Sequence, residues 1–187
     1  MKIYFYLNIT GFSNCYLVVN EHTKEALIVD PGKITGYMID RLEGDGYALR
    51  AVLITHNHSS HVKGLQTLLK IYDPKIYAAD LDVAQERTTV LKADGHILAA
   101  GLKIQYMSLP GHTADSMIYK IGQVIFTGDT VSAGKISSTG SLYRKKILIE
   151  NIKAKIFSQP DDTILLPGHG PITTVGTEKH FNSDIVL

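Results

Sequence analysis

The chain has 187 residues, of which 44% are hydrophobic and 20% charged, and this length and composition predict one globular domain over residues 1–187 whose core needs no disulfide or structural metal. A formal net charge of +1 without a basic stripe argues against a nucleic-acid partner, and the lack of an apolar run of about 20 residues argues against a membrane span. The single cysteine, Cys15, lies in an apolar run that predicts a buried strand. One cysteine excludes an intramolecular disulfide. Because the N-terminus also shows no signal-peptide pattern, we expect a cytoplasmic protein.

The first half of the chain alternates between strand-like and helix-like patterns. Runs rich in β-branched and aromatic residues, separated by Gly, Pro and Asn, predict strands. These strands are residues 2–7, 15–20, 26–30, 48–55 and 75–78. Apolar residues at helical spacing predict the intervening helices. These helices are residues 34–42, 62–71 and 81–88.

The second half continues with strands and one long helix. The predicted strands are residues 102–109, 117–121, 123–127 and 163–166, and the longest predicted helix covers residues 142–157. Helices therefore lie between blocks of strands, without an internal repeat or a linker. This order predicts sheets covered by helices.

Five histidines and one aspartate directly follow predicted strands. In layered α/β proteins, ligands collect in the loops beyond strand ends, so strand ends that point the same way would bring these side chains together. The six candidate metal ligands are His56, His58, His61, His112, Asp129 and His169.

The spacing of the histidines favours a metal site. Residues i and i+2 of an extended segment project to the same side, so His56 and His58 can bind one ion together, while His61 is displaced toward a neighbouring ion. Imidazole and carboxylate are ordinary ligands of zinc, and neutral histidine also suits iron. A lone histidine near a strand end is more often structural or exposed. That is our interpretation of the other three, His22, His96 and His180.

These residues resemble the motifs of the metallo-β-lactamase superfamily. The matching segments are Thr55-His56-Asn57-His58-Ser59-Ser60-His61, Pro110-Gly111-His112-Thr113, Phe126-Thr127-Gly128-Asp129-Thr130, Pro167-Gly168-His169-Gly170 and Asp30-Pro31-Gly32. Within that superfamily the chain is most similar to the short glyoxalase II-like hydrolases. The resemblance implies an α/β (α+β) fold, a four-layer αββα sandwich with a metal pocket at one edge.

The resemblance also implies a role for each candidate ligand. His56, His58 and His112 would bind a first metal, His61 and His169 a second, and Asp129 would bridge the two. The metal would be zinc, with iron as a possibility. Asp30 would lie beside the pocket and fix the orientation of a ligand, although turn chemistry alone also explains Asp before Pro-Gly.

Ser60 is the main departure from the family pattern. An aspartate that binds the second metal normally stands at this position, directly before the third histidine. A serine hydroxyl is neutral and a poor zinc ligand, so we expect one tightly bound ion and a second that binds more weakly. Because a helix is predicted to follow, we interpret Ser60 as a helix cap.

The sequence therefore predicts a metal-dependent hydrolase of a small thioester or ester, in which Asp129 orients a metal-bound water that acts as the nucleophile. The segment after His169 is short and an Arg that the branch carries near Ser138 is absent, which argues against glutathione as the thiol half. Two alternatives stay open, a mononuclear iron persulfide dioxygenase using His56, His112 and Asp129, and a metal-binding module without catalysis. The oligomeric state is left open.

Overall fold

Two six-stranded sheets form the centre of the fold. The computed structural model describes residues 1–9 and 11–185. The first sheet has the spatial order β1 (Lys2–Asn8), β2 (Ser13–Asn20), β3 (Glu25–Val29), β4 (Ala48–Leu53), β5 (Lys75–Ala78) and β6 (Thr88–Val90). The strands of the second sheet, in chain order, are β7 (Gly95–Ala99), β8 (Leu102–Ser108), β9 (Met117–Ile121), β10 (Val124–Gly128), β13 (Ile164–Pro167) and β14 (Thr173–Thr174). Their spatial order is β14-β13-β10-β9-β8-β7.

Within the described residues, the remaining elements are a small ribbon, five α-helices and two 3₁₀ turns. The ribbon pairs β11 (Val131–Ser132) with β12 (Lys135–Ile136). The helices are α1 (Gly36–Gly44), α2 (Ser59–Val62), α3 (Leu65–Leu68), α4 (Leu142–Lys155) and α5 (Val175–Phe181). Among the described residues, every helix is too short or too polar to cross a bilayer.

Strand alternation divides the apolar side chains among three cores. In β2, Tyr16 and Val18 pack between the two sheets, whereas Cys15 and Leu17 pack on the opposite face of the first sheet. This division follows from the two-residue period of a strand. It leaves both outer faces of the sheets apolar, so each needs a cover of helices.

Helices cover both outer faces. Met38 and Leu42 of α1 and Leu65 of α3 belong to the core on the outer face of the first sheet. Leu148 and Ile152 of α4 belong to the core on the outer face of the second sheet. The order of layers is thus helices, sheet, sheet, helices, which confirms the predicted αββα sandwich. The interpretation of Cys15 as a core residue is also confirmed, since it is buried.

The sheet topology brings several loops to one edge. β10 and β13 are parallel, and β8 runs in the same direction because both β8 and β10 are antiparallel to β9. In the first sheet β3 and β4 are parallel. Two backbone hydrogen bonds join the sheets at this edge, from Met117 N to Thr55 O (2.8 Å) and from Asn14 N to Gly168 O (2.7 Å). All the loops that carry candidate ligands therefore leave from the same edge.

The predicted helix over residues 62–71 is wrong. Two single-turn helices, α2 and α3, replace it, and the first begins at Ser59. The break lies at Gly64, whose N–H donates to the Pro31 carbonyl at 2.8 Å. A Cβ at this position would lie 2.5 Å from the same carbonyl oxygen. A close contact with a distant segment thus overrides the local helical period.

The predicted helix over residues 81–88 is also wrong. Two 3₁₀ turns, Leu81–Val83 and Gln85–Arg87, lead into β6. Side chains take backbone donors here, because the Asp80 carboxylate accepts from Asp82 N at 2.9 Å and the Thr88 hydroxyl accepts from Ala84 N at 3.0 Å. These local hydrogen bonds compete with a continuous helix.

Several short elements were not predicted from the sequence, namely β6, β7, β11, β12, β14 and α5. Three of these strands have only two residues, too few to show a period. Helix α5 has an N-cap that the sequence could have revealed, since Thr174 accepts a hydrogen bond from Thr177 N. The other predicted strands and the helices near residues 36 and 142 are confirmed with shifts of a few residues at their ends.

We expect Tyr119→Phe to lower the free energy of unfolding by about 1–2 kcal/mol, because a buried carbonyl would lose its donor. Tyr119 is fully buried and its hydroxyl donates to Ile54 O at 2.7 Å, next to the loop that carries His56. Urea denaturation measures the change. Tyr143→Phe, at a residue that is 73% exposed, is the matched control and should leave the unfolding free energy unchanged.

Candidate metal centre

The structure brings all six candidate ligands together. Their ligand atoms form two groups, and within each group the atoms lie within 4.8 Å of one another. The first group is His56, His58, His112 and Asp129, and the second is His61, Asp129 and His169. The remaining histidines, His22, His96 and His180, lie on the surface as expected.

The first group has four donors at spacings that suit one ion. His58 Nδ1 lies 3.0 Å from His56 Nε2 and 3.2 Å from His112 Nε2. Asp129 Oδ2 lies 3.6 Å from His56 Nε2 and 3.5 Å from His112 Nε2. Donor atoms bound to a tetrahedral zinc at about 2.0–2.1 Å are about 3.3 Å apart. The four atoms are therefore spaced as ligands of a shared cation would be.

The second group has three donors and uses the other oxygen of the same carboxylate. Asp129 Oδ1 lies 3.4 Å from His61 Nε2 and 2.8 Å from His169 Nδ1. His61 Nε2 is buried and makes no hydrogen bond to any described residue. A buried polar atom without a partner carries a free-energy penalty of about 1–3 kcal/mol. An ion at this position would remove the penalty, so the residues present fit a metal.

Hydrogen bonds on the far side of the rings fix which nitrogen faces each group. The Thr55 hydroxyl donates to Asp30 Oδ2 at 2.7 Å and so accepts from His56 Nδ1 at 3.1 Å. Asp30 Oδ2 also accepts from His61 Nδ1 at 3.1 Å. In both rings the Nδ1 atom carries a proton, so Nε2 is the atom that can bind an ion, directly in His56 and after loss of a second proton in His61.

Asp30 occupies a backbone conformation that L-residues seldom adopt. Its φ is +53°, in the left-handed region, where a residue other than glycine is strained by about 1–3 kcal/mol. The side chain is 2% exposed, and its Oδ1 accepts from Thr55 N at 2.8 Å. In this conformation the carboxylate contacts His61 directly and His56 through Thr55. A residue that served only the turn before Pro31 would need neither contact.

Burial and neighbouring charges shift the pKa values of the candidate ligands. Burial and the nearby His61 lower the pKa of His56 to about 4, so its ring is neutral at neutral pH. Burial alone would lower the pKa of His61, but the carboxylates of Asp30 and Asp129 outweigh it and raise the value to about 10. Burial opposes ionisation of Asp129 as well, yet its contacts with His169 and His61 hold its pKa well below the usual range. An ion that binds at His61 therefore displaces a proton.

Close approach at Gly168 completes the pocket. A Cβ there would lie 2.5 Å from Asp129 Oδ1 and 2.6 Å from His61 Cε1. Two donors hold the preceding carbonyl, since Asn14 Nδ2 and Tyr16 Oη lie 2.8 and 2.7 Å from Pro167 O. Because glycine has no Cβ, the end of β13 can approach Asp129 and His61 this closely.

Several supporting residues were missed by sequence reasoning. Asn57, between His56 and His58, donates its backbone N–H to Asp115 and its side-chain amide to Asp80, each at 2.8 Å. Sequence reasoning also gave no role to Thr55, which links Asp30 to His56. The partners of Asn57 lie 58 and 23 residues away, and no local signal marks either of them.

The interpretation of Ser60 as a helix cap is wrong. Helix α2 begins at Ser59, its N-cap is His58, and no side chain caps it. Ser60 lies inside the first turn, and its carbonyl accepts a hydrogen bond from the Ser13 hydroxyl at 2.6 Å. Because the preceding segment is extended through His58, the helix starts one residue too early for Ser60 to cap it.

A cavity of about 280 Å³ opens beside the first donor group. The turn of residues 110–114, which contains His112, lines one side, and Arg144 and Ile147 of α4 line the other. A candidate metal ligand therefore forms part of the wall of a space large enough for a small organic molecule.

Comparison with known proteins places these features in a family context. A model of the metallo-beta-lactamase superfamily matches residues 8–169. The chain is 36% identical to the probable polyketide biosynthesis zinc-dependent hydrolase BaeB of Bacillus velezensis, over 83% of this chain and 72% of that protein. It is 30% identical to the hydroxyacylglutathione hydrolase GloC of Haemophilus influenzae, over 93% of each. The crystal structure of ETHE1 from Myxococcus xanthus has a similar fold, with a TM-score of 0.86 and 23% identity over 99% of this chain and 84% of that one.

We expect Asp30→Asn to weaken metal binding by about 10- to 100-fold, because the amide has one acceptor oxygen where the carboxylate uses both, Oδ1 for Thr55 N and Oδ2 for the Thr55 hydroxyl and His61. Competition with a chromophoric chelator measures the affinity, and circular dichroism checks the fold. Asp40→Asn, at an exposed position of α1, is the control. Equal affinity in Asp30→Asn and wild type would show that Asp30 does not orient the ligands.

Proposed function

The chain belongs to the metallo-β-lactamase superfamily, and from this premise we propose that it hydrolyses a small thioester or ester at a metal centre. Two of its relatives are named as hydrolases, and one of them, the Haemophilus influenzae protein, matches almost the full length of this chain. Hydrolysis is the chemistry that both names state, and the name of the Haemophilus influenzae protein adds an acyl substrate. We propose a small molecule as the substrate rather than a nucleic acid or a membrane.

One observation carries the proposal: the Asp129 carboxylate faces both donor groups, with Oδ2 toward His56 and His112 and Oδ1 toward His61 and His169. When bound, a zinc ion supplies a Lewis acid for a substrate carbonyl and a water of lowered pKa. We propose zinc because the donors are nitrogen and carboxylate oxygen in a four-donor set.

The chain's own residues hold and orient the reactants. His56, His58 and His112 would hold one ion, and Asp129 stays ionised, so it could accept a hydrogen bond from the attacking water and orient it toward the carbonyl. Thr55 and Asp30 keep the proton of His56 on Nδ1. The apolar part of the cavity beside His112 would take the acyl chain.

The two donor groups predict unequal metal affinity. The first group contributes three imidazoles and a carboxylate oxygen, and the second contributes two imidazoles and one oxygen of the same carboxylate. Ser60 supplies no negative charge where the family has an aspartate. In addition, the 2.8 Å contact between His169 Nδ1 and Asp129 Oδ1 is a hydrogen-bond distance. We therefore propose one tight ion and a second of lower affinity.

The iron dioxygenase alternative would use only His56, His112 and Asp129. His58 Nδ1 lies within 3.2 Å of both histidine donors of that set, so the group offers a fourth protein ligand. A facial triad that activates oxygen leaves positions open, and a catalytic zinc likewise keeps a position for water. The relatives named as hydrolases support the hydrolase, and the activity test below separates it from the dioxygenase by measuring oxygen uptake.

We expect the zinc-loaded protein to hydrolyse short-chain acyl thioesters, and Asp129→Ala to lower the rate by at least about 10³-fold, because the variant loses the only carboxylate in both donor groups. Thiol release, followed with a chromogenic disulfide, measures the rate. Asp40→Ala is the control and should keep full activity. Oxygen uptake with a persulfide by the iron-loaded protein, without thioester turnover, would support the dioxygenase. Absence of both activities would support a metal-binding module.

We expect purified protein dialysed against metal-free buffer to retain close to one zinc ion per chain. His112→Ala should lose this ion, because it removes a donor of the four-donor group, whereas His169→Ala should retain it. Elemental analysis of both variants and of His180→Ala, which alters an exposed histidine, measures the content. Two firmly retained ions in the wild type would contradict the asymmetry.

A further inference from the structure

The first turn of α4 breaks a local rule of helix stability. Ser141 is the N-cap, and its hydroxyl accepts from Arg144 N at 3.2 Å. In a capping box the residue three positions after the cap is Glu or Gln, whose side chain returns a hydrogen bond to the cap. Here that residue is an arginine, and the first turn contains no acidic residue. A cation at a helix N-terminus also opposes the helix dipole, so Arg144 does not serve the stability of the helix.

The helix places Arg144, an exposed residue, at the wall of the cavity that His112 also lines. Residues four apart share a helix face, so Arg144 lies on the face of Leu148 and Ile152, which are both buried. Leu148 packs against the turn that precedes His112, since a Cβ added to Gly111 would lie 2.9 Å from its Cδ1. One turn nearer the start of α4, Arg144 lines the same cavity as His112.

The guanidinium of Arg144 has no acidic partner among the described residues. Each ion pair that a lysine or arginine makes within the described residues uses a side chain other than Arg144. The next residue, Lys145, for example, pairs with Asp184 at 2.7 Å. The cavity thus has a candidate metal ligand in its wall, apolar surface from Pro110, Ala114 and Ile147, and one unpaired cation. An arginine in such a setting is suited to bind a carboxylate.

We propose that Arg144 selects substrates that carry a carboxylate, by binding that group while the acyl bond lies at the metal centre. The inference rests on the proposed function and adds the substrate class, a carboxylate-bearing thioester or ester. The positive N-terminus of α4 adds to the attraction. The carboxylate can belong to the acyl half or to the thiol half, and both place a negative charge in the same cavity.

Binding of non-hydrolysable thioethers to the zinc-loaded protein tests this proposal independently of turnover. The probe 4-(ethylthio)butanoate carries its carboxylate on the acyl side, and 3-(butylthio)propanoate carries it on the thiol side. Each is compared with its neutral amide by isothermal titration calorimetry. For at least one pair, we expect the acid to bind wild type about tenfold more tightly than the amide, as one charge-assisted hydrogen bond would give. The pair that shows the stronger preference gives the separation between the sulfur atom and the carboxylate that fits the cavity.

Two variants assign the preference to Arg144. In Arg144→Gln the acid and the amide should bind within about twofold of each other, and the affinity for the amide should stay at its wild-type value. Lys146→Gln removes the same charge from α4 about 200° around the helix from Arg144, at an exposed position, and should keep the preference. Zinc content should be equal in all three proteins.

Three outcomes would overturn the inference. These are equal binding of acid and amide to wild type in both pairs, an equal loss of preference in Arg144→Gln and Lys146→Gln, and no detectable binding of either acid. Thioester turnover is measured separately. A charge preference that depends on Arg144, found without any turnover, would refute the proposed hydrolysis and leave the anion site supported.

Discussion

The buried carboxylate of Asp30 holds together the parts of the site that lie on the first sheet. It accepts hydrogen bonds from the backbone and the hydroxyl of Thr55 and contacts His61 Nδ1. A buried carboxylate is strongly destabilising unless its oxygens are satisfied, so these partners are tied to Asp30. Through them the end of β3 fixes the end of β4, the tautomer of His56 and the orientation of His61. The strained backbone at Asp30 persists because this network determines it from several sides.

The second sheet contributes the opposing half, and its central group is Asp129. β8, β10 and β13 end at the same edge, which brings His112, Asp129 and His169 against the histidines of the first sheet. A single carboxylate with one oxygen toward each donor group serves both groups, one of four donors and one of three. The unequal number of donors is thus set by the geometry that the two sheets impose.

Helix α4 connects the outer layer to the chemistry. Its buried face packs on the second sheet through Leu148 and Ile152, and its first turn reaches the cavity beside His112. Natural sequences agree with local rules over most of their length and depart from them mainly at functional sites. Arg144, three residues after the N-cap of α4, is such a departure. The same helix that covers a core can therefore also take part in substrate recognition.

The sequence by itself determined the ligand types, the family and the layered fold, because strand and helix periods and the Gly-containing motifs are properties of short segments. It identified His56, His58, His61, His112, Asp129 and His169 as candidates that the structure brings within reach of one another. Only the tertiary structure decided their division into two groups, the contacts of Asp30 and Asn57, the break at Gly64 and the place of Arg144. Each of these depends on atoms that are far apart in the chain, such as Asn57 and Asp115, 58 residues away. Local patterns carry no information about such pairs, since the packing of two sheets, rather than the identity of neighbouring residues, sets the distance between them.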